Sequence, residues 1–392
     1  MFAENRRAAL DMISCFVTSN PQSQILNGKI LYMSGSTSLT KVKRGVWSGD
    51  MSALTLRFRP WYLTPFVEPD DTLSALSWKE KVQAMAELLL QDKNIRVISG
   101  VPPWIILLLK RCEELGGRPL KCLLPNLELI IHGGTSIEAY RKELENIFDG
   151  NMPNLLELLP SSEAFMAFQK FGESQMRLTP YYGVFFEFVR FKDLDEQGKP
   201  APYADAVPLE KVDAGQRYAI ILSTCSGLWR YHIGDTIRFT STSPHLIEFT
   251  GRDRFLDKLE EKVTQREVEL AVAHLNKTGL GNVREFMVGS DTKARRHRWV
   301  LAVQDDMDVE VVTNILDTTL CGLNADYATF RSQGRINSPE VMLVPEDHIY
   351  QWSQAERGKL GGQSKIPHID PTLDSSMIAS LQQFHCVDHT AP

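Results

Sequence analysis

The stretch GLWRYHIGDTIRFTSTSPHLIEFTGR, residues 227–252, decides how the rest of this chain is read. Leu228, Trp229, Tyr231 and Ile233 alternate with polar or small residues, Gly234-Asp235 has the chemistry of a turn, and Thr236, Ile237, Phe239 and Thr240 resume a β-rich run. The pattern predicts a hairpin-like corner, followed after Ser-Thr-Ser-Pro by a further strand, Leu246 to Thr250, that ends at Gly251-Arg252. A carboxylate on such a turn is exposed, and its two oxygens can accept both hydroxyls of a sugar diol. Asp235 is therefore a candidate ribose ligand, and a plain turn pair is the other reading of the same residues.

Size and composition narrow the classes. Single cores seldom grow beyond roughly 250–300 residues, so 392 residues predict two domains. The 49 acidic and 43 basic side chains give a net charge of −6 with no long block of one sign, which speaks against nucleic acid and lipid partners. Six scattered cysteines without a CxxC pair suggest neither a zinc site nor a disulfide framework, and reduced thiols fit a cytoplasmic protein. The apolar run Ile105–Leu109 is too short to cross a bilayer.

Working outward, residues 1–20 have helical period and Ile25–Met33 reads as a strand leading into SGSTSLTK, whose small residues and Lys41 could border an anion. Its spacing is not GxxxxGK[ST], so a degenerate phosphate loop, a strand-and-loop of another kind and a plain turn all stay open. IRVISGVPPWIILLLKRC is a strand, a turn and an apolar helix of an α/β layer. Leu127–Ile131 is a buried strand ending in His132-Gly133-Gly134, where a glycine pair would let a flat ring approach the backbone. Leu155–Leu159, LLELL, leads into Pro160-Ser161-Ser162-Glu163, which taken alone reads as a helix N-cap with an acidic first turn. Tyr181–Phe188 alternates like a sheet strand. After Arg252 the pattern becomes small α+β: helices at Arg266–Leu275 and Val309–Leu320, strands at Trp299–Val303 and Val341–Val344, and a glycine-rich tail GKLGGQSKIP at 358–367.

Two of these stretches, YHIGD…TGR and GGQSKIP, resemble the Gretchen Hagen family of acyl-acid amido synthetases, within the adenylate-forming superfamily. The resemblance runs in order from Gly28 to Pro367. It implies a mixed α/β adenylate-forming fold, with a large N-terminal domain at 1–252 and a small hinged C-terminal lid domain at 253–392. It also implies ATP and Mg²⁺, a small-molecule carboxylic acid activated as an acyl-adenylate, and transfer of the acyl group to an amino-acid amine. By the same resemblance Lys365 is the catalytic cation, a lysine on a mobile loop that can meet charge developing on the α-phosphate. Tyr231 and Asp235 take the ribose, Arg252 opens the hinge, and Gly133 and Gly134 border adenine. Ser161 and Ser162 approach phosphate, Glu163 assists the metal, and Val101 and Pro102 line the acyl side.

Departures from the family pattern are local. His232 stands where arginine or leucine is usual and His368 where arginine is, so a second cation at 368 would depend on pH. Leu159 replaces a tyrosine that would stack on adenine, and Pro160 replaces alanine or asparagine. GKILYMSGSTSL aligns with a segment downstream of the family's phosphate loop, which implies an N-terminally shortened chain. A reduced, non-catalytic relative is therefore the rival reading, and an acyl-CoA ligase the weaker one. Neither the acid, the amino acid nor the oligomeric state is encoded in a recognisable pattern.

Overall fold

A computed structural model describes residues 1–34, 39–69, 73, 76, 78–134, 137–194, 199–201, 204–252, 255–256, 258–259, 261, 263–357, 366–370 and 376–384. The strands are β1 (Lys29–Tyr32), β2 (Thr40–Lys43), β3 (Val46–Ser48), β4 (Val67–Glu68), β5 (Ile95–Gly100), β6 (Leu129–Gly133), β7 (Asn154–Pro160), β8 (Phe165–Gln169), β9 (Met176–Leu178) and β10 (Val184–Arg190). They continue as β11 (Val207–Pro208), β12 (Arg217–Thr224), β13 (Tyr231–Thr242), β14 (His245–Arg252), β15 (Phe255–Leu256), β16 (Val263–Thr264), β17 (Val283–Asp291), β18 (Arg296–Val303) and β19 (Glu340–Pro345). One twelve-stranded sheet has the order β11-β10-β12-β13-β14-β9-β8-β7-β6-β5-β1-β4. Strands β4, β1, β5, β6 and β7 run parallel, and from β7 to β11 every pairing is antiparallel.

The parallel half is covered on both faces, which is why its strands are nearly continuous apolar runs. Helix α1 (Phe2–Ser19) places Ala8, Met12 and Phe16 on one stripe against Val97, Leu129, Ile131 and Leu156. The opposite face, Leu31, Ile98 and Ile130, meets the core residues of the helices at 78–91, 102–116 and 141–147. The second of these starts with Pro102 at its first position and stops at Gly117, whose φ is +59°. The antiparallel half turns Val184, Phe186 and Phe188 inward, with period two, onto Tyr218, Ile237 and Phe239.

Beyond β14 a separate three-stranded sheet, β17-β18-β19, forms the middle of three layers. Alternate residues of β17 face opposite ways: Phe286 and Val288 pack on the helices at Gln265–Lys277, Val309–Leu323 and Ala325–Ser332, while Met287 packs on those at His348–Arg357 and Ser376–Gln383. The Gln265–Lys277 helix begins where it does because Thr264 and Glu267 cap each other reciprocally. Glu267 also receives Arg217 of β12 at 3.1 Å and Asn324 Nδ2 at 3.3 Å, so the helix start is bonded both to the twelve-stranded sheet and to the junction of the helices Val309–Leu323 and Ala325–Ser332.

Three local expectations are corrected. Gly234-Asp235 is no turn: β13 is one twelve-residue strand, and its register with β12 slips between Ala219↔Thr236 and Ile221↔His232. Gly234, at φ +80°, takes the left-handed conformation of this bulge, and the turn lies after Thr242. Ser161–Glu163 starts no helix but closes the antiparallel corner between β7 and β8. The strand expected over Ile25–Met33 begins only at Lys29, after a 3₁₀ turn at Ile25–Asn27.

Candidate functional site

The carboxyl ends of parallel strands are where an open α/β sheet binds its ligands, and two of the expected motifs lie there side by side. Gly133 closes β6 opposite Leu158 of β7, and the Ser161–Glu163 corner begins three residues after the end of that pairing. The glycine requirement at 133 has a structural cause. A Cβ there would stand 2.4 Å from the Leu158 carbonyl oxygen, so the backbone of β7, rather than a ligand, excludes a side chain. Gly134 has φ +88° and turns the chain out of the strand.

In the β7–β8 corner the Ser161 Oγ accepts from the N–H groups of Glu163 (3.2 Å) and Ala164 (3.0 Å), and its own N–H donates to the Ala164 carbonyl. The hydroxyl thus does within a corner what it would do at a helix N-cap. Ser162 is exposed and Glu163 half-buried. Leu159 is buried in the core of the antiparallel half.

Tyr231, Asp235 and Arg252 lie on β13 and β14, and in sheet order β9 and β8 stand between β14 and β7. Asp235 is directly opposite Arg252 in the backbone register. Its side chain is only 7% exposed and already has an interaction partner, contrary to the exposed turn carboxylate expected. Tyr231, at the start of β13, is exposed. Val101 and Pro102 are the cap and first residue of the helix at 102–116; Pro102 belongs to the core, and Trp104 beside it meets the Tyr350 ring at 5.2 Å. Lys365 lies outside the described residues, as do Gly35–Ser38 of the serine-glycine run. Asn324, Tyr327 and Arg331 have structural work: Asn324 caps a helix, and Tyr327 and Arg331 both bond Asp317.

Two titratable side chains on this face were not singled out as site residues from the sequence. Glu157 is the charged centre of LLELL, and in the parallel register it stands beside His132. Burial pushes the Glu157 carboxyl up to about 7, against the pull of Arg266, while Glu138, Glu269 and Glu248 add to the rise. Burial, and then the charge of Arg141, holds His132 down to about 4, so its imidazole is neutral; its Nδ1 is buried with no hydrogen-bond partner among the described residues. A carboxylate interrupting an apolar strand was the legible signal. Near the end of the tail, His368 differs from expectation. Burial opposes its charge, but hydrogen bonds to Glu269 and Glu285 and the charges of both outweigh that and raise it to about 9, so it is a cation through the neutral range.

Among the described residues no group of three or more His, Cys, Asp or Glu could hold a metal, and no helix is long and apolar enough to cross a membrane. A groove of about 810 Å³ lies elsewhere, between α1 and strands β8–β10, lined by Asp11, Cys15, Phe168, Tyr181 and His245 among others; it contains none of the expected site residues.

Comparison with known proteins fits this geometry. Residues 178–252 match the GH3 family central domain and residues 246–372 the GH3 family C-terminal domain. The chain is 34% identical over 217 residues to the probable indole-3-acetic acid-amido synthetase GH3.6 of Oryza sativa subsp. japonica, covering 49% of this chain and 43% of that protein. It is 29% identical over 158 residues to the jasmonoyl--L-amino acid synthetase JAR4 of Nicotiana attenuata, covering 38% and 26%. The matched regions span less than half the length of these curated relatives. Among solved structures, GH3.15 acyl acid amido synthetase superposes with a TM-score of 0.70 at 17% identity, over 91% of this chain and 73% of that one. A 2-hydroxyisobutyryl-CoA ligase in complex with 2-HIB-AMP gives 0.54 at 13% identity, over 91% and 68%. The fold is that of the adenylate-forming enzymes, and residues 178–372 carry the central and C-terminal domains of the GH3 family.

Proposed function

We propose that this chain is an ATP-dependent acyl-acid amido synthetase of the cytoplasm, acting on a small carboxylic acid and an amino acid. A carboxylate oxygen attacks the α-phosphorus and pyrophosphate leaves; the amine then attacks the acyl carbon, AMP leaves, and the amine gives up a proton. The observation that carries the reading is the run of two consecutive family domains over 178–372, whose second half includes GGQSKIP. In this reading the large domain is 1–252 and the lid 253–392, joined at Gly251-Arg252. The close passage of the chain there supports a defined hinge, since a Cβ on Gly251 would stand 2.8 Å from the Cβ of Gln265.

Lys365 meets the charge developing on the α-phosphate, and Gly133 and Gly134 border the adenine. Ser162, exposed at the β7–β8 corner, is better placed to approach phosphate than Ser161, whose hydroxyl is engaged within the corner. Glu163 is a single carboxylate, which suits Mg²⁺ held largely by phosphate oxygens and water. Tyr231 offers an exposed face for the ribose, whereas Asp235 would have to exchange its present partner to take a diol. Val101 bounds the acyl side, and Pro102, the next residue, is buried at the helix start. Five described cysteines are free thiols, in keeping with a reducing compartment.

A second reading, a reduced relative with weak nucleotide affinity, is favoured by Leu159, which is packed into the core in place of a stacking aromatic. Carboxylate-dependent ATP–pyrophosphate exchange over a panel of acids separates the two. The synthetase reading expects exchange that falls about 10²–10³-fold in Lys365→Ala. A folded chain with no exchange for any acid would overturn it.

A further inference from the structure

Immediately after Lys365 and Ile366-Pro367 the chain is strapped to β17. The Val288 N–H donates to the His368 carbonyl and the Asp370 N–H to the Val288 carbonyl, each at 2.8 Å, and Ile369 is buried in the core beneath. His368 itself is fully enclosed. Its Nδ1 is 3.0 Å from Glu269 Oε1 and its Nε2 3.0 Å from Glu285 Oε1, and its ring stacks on Phe286 at 4.1 Å between centroids. A neutral imidazole has one N–H and could donate to only one of these carboxylates, leaving the other facing a ring lone pair. The imidazolium satisfies both.

We propose that His368 is a positioning residue: as a cation held between Glu269 and Glu285, it fixes the place on β17 where the chain that follows Lys365 in sequence is anchored. The two carboxylates belong to different elements, the helix Gln265–Lys277 and β17, so one side chain joins the tail to both. Other groups around the clamp are Tyr350, which donates to Glu285 Oε2 at 3.1 Å, Gln265, which donates to Glu269 at 2.8 Å, and, further out, Tyr140, Glu143 and Arg284. Burial drives both tyrosines further from ionisation, so they stay neutral. A cation whose folded-state pKa is raised to about 9 stabilises fully below its ordinary 6.5, and the contribution is lost as pH rises through 9. The inference rests on the amido synthetase reading only for the importance of Lys365; the anchoring is testable without activity.

The test is hydrogen exchange of the full chain from pH 7 to 10, corrected for the intrinsic rate, comparing the Val288 and Asp370 amides with those of central β18. Wild type should lose about tenfold protection at Val288 and Asp370 between pH 8 and 10, with β18 unchanged. His368→Gln should show that loss already at pH 7.5, and His368→Arg, which carries a permanent cation, should show no pH step. Unchanged protection in wild type across the range, or an equal loss in β18, overturns the proposal, and the wild-type series needs no variant to fold. In pyrophosphate exchange, wild type should decline as pH rises through 9, and His368→Arg should remove that decline. Absence of all exchange would count against the functional reading, while the protection series would still decide the clamp.

Discussion

Glu157 shows how one side chain carries a cost that its neighbours do not remove. It sits among leucines on β7, beside a neutral His132, and its carboxyl is pushed up to about 7 by burial before any charge acts on it. The unfolded chain releases this proton near 4.5, so between about 4.5 and 7 the folded state binds it more strongly, and stability falls as pH rises through that window. Glu157→Gln removes the ionisation and keeps the shape. The variant should match wild type at pH 4 and be more stable by about 1–3 kcal/mol at pH 8, read from urea midpoints. Equal stability at both pH values would show that Glu157 finds a compensating partner. A carboxylate retained where it costs stability is a candidate for work in the site, such as taking the proton the amine gives up. Exchange and amide-forming assays of the same variant would separate that role, because only the second half-reaction releases this proton.

At the scale of the element, the β6–β7 junction separates packing from ligand approach. Gly133→Ala would drive a methyl to 2.4 Å from the Leu158 carbonyl oxygen, so the strands must part. A loss of about 1–3 kcal/mol or more is expected in the absence of any ligand, measured by denaturant unfolding. A variant as stable as wild type but unable to bind nucleotide would instead make Gly133 a ligand glycine. What the sequence made legible at this scale follows from how local each signal is. Helix α1 and the β5–turn–helix unit carry long apolar periods, and both were readable. Gly234-Asp235 was misread because the same pair serves a turn or a bulge, and the choice is made by β12, which is remote in sequence. Ser161 was misread because its hydroxyl accepts neighbouring N–H groups equally well at a helix start and at a strand corner. The exposure expected of Asp235 followed from the first error: a carboxylate inside a strand is covered by its neighbours, as one on a turn would not be.

Across the whole molecule, the two sheets are joined by charge as well as by packing. Arg284 of β17 lies 3.3 Å from Glu143 of the helix Arg141–Ile147 and also pairs with Glu346, while Lys110 reaches Glu143 from the helix at 102–116. Lys142 donates to the Asn276 carbonyl at 2.9 Å, and Trp104 meets Tyr350. Glu143 is 8% exposed and Arg284 12%, so this contact is largely desolvated, and removing one partner strands the other in a poor solvent. Lys110 remains to Glu143, which limits the damage. Arg284→Met should therefore cost about 2–3 kcal/mol, and Glu143→Gln in the same chain should recover part of that loss. The double-mutant cycle, read from unfolding midpoints, is expected to give a coupling of about 1–3 kcal/mol. Strict additivity would mean that the contact is not felt. If the C-terminal layers act as a lid, this seam has to open between half-reactions, so Arg284→Met should also alter the ratio of amide formation to pyrophosphate exchange. A stability loss with that ratio unchanged would make Arg284 a fastening of the fold and leave the opening of the lid to contacts elsewhere along the seam.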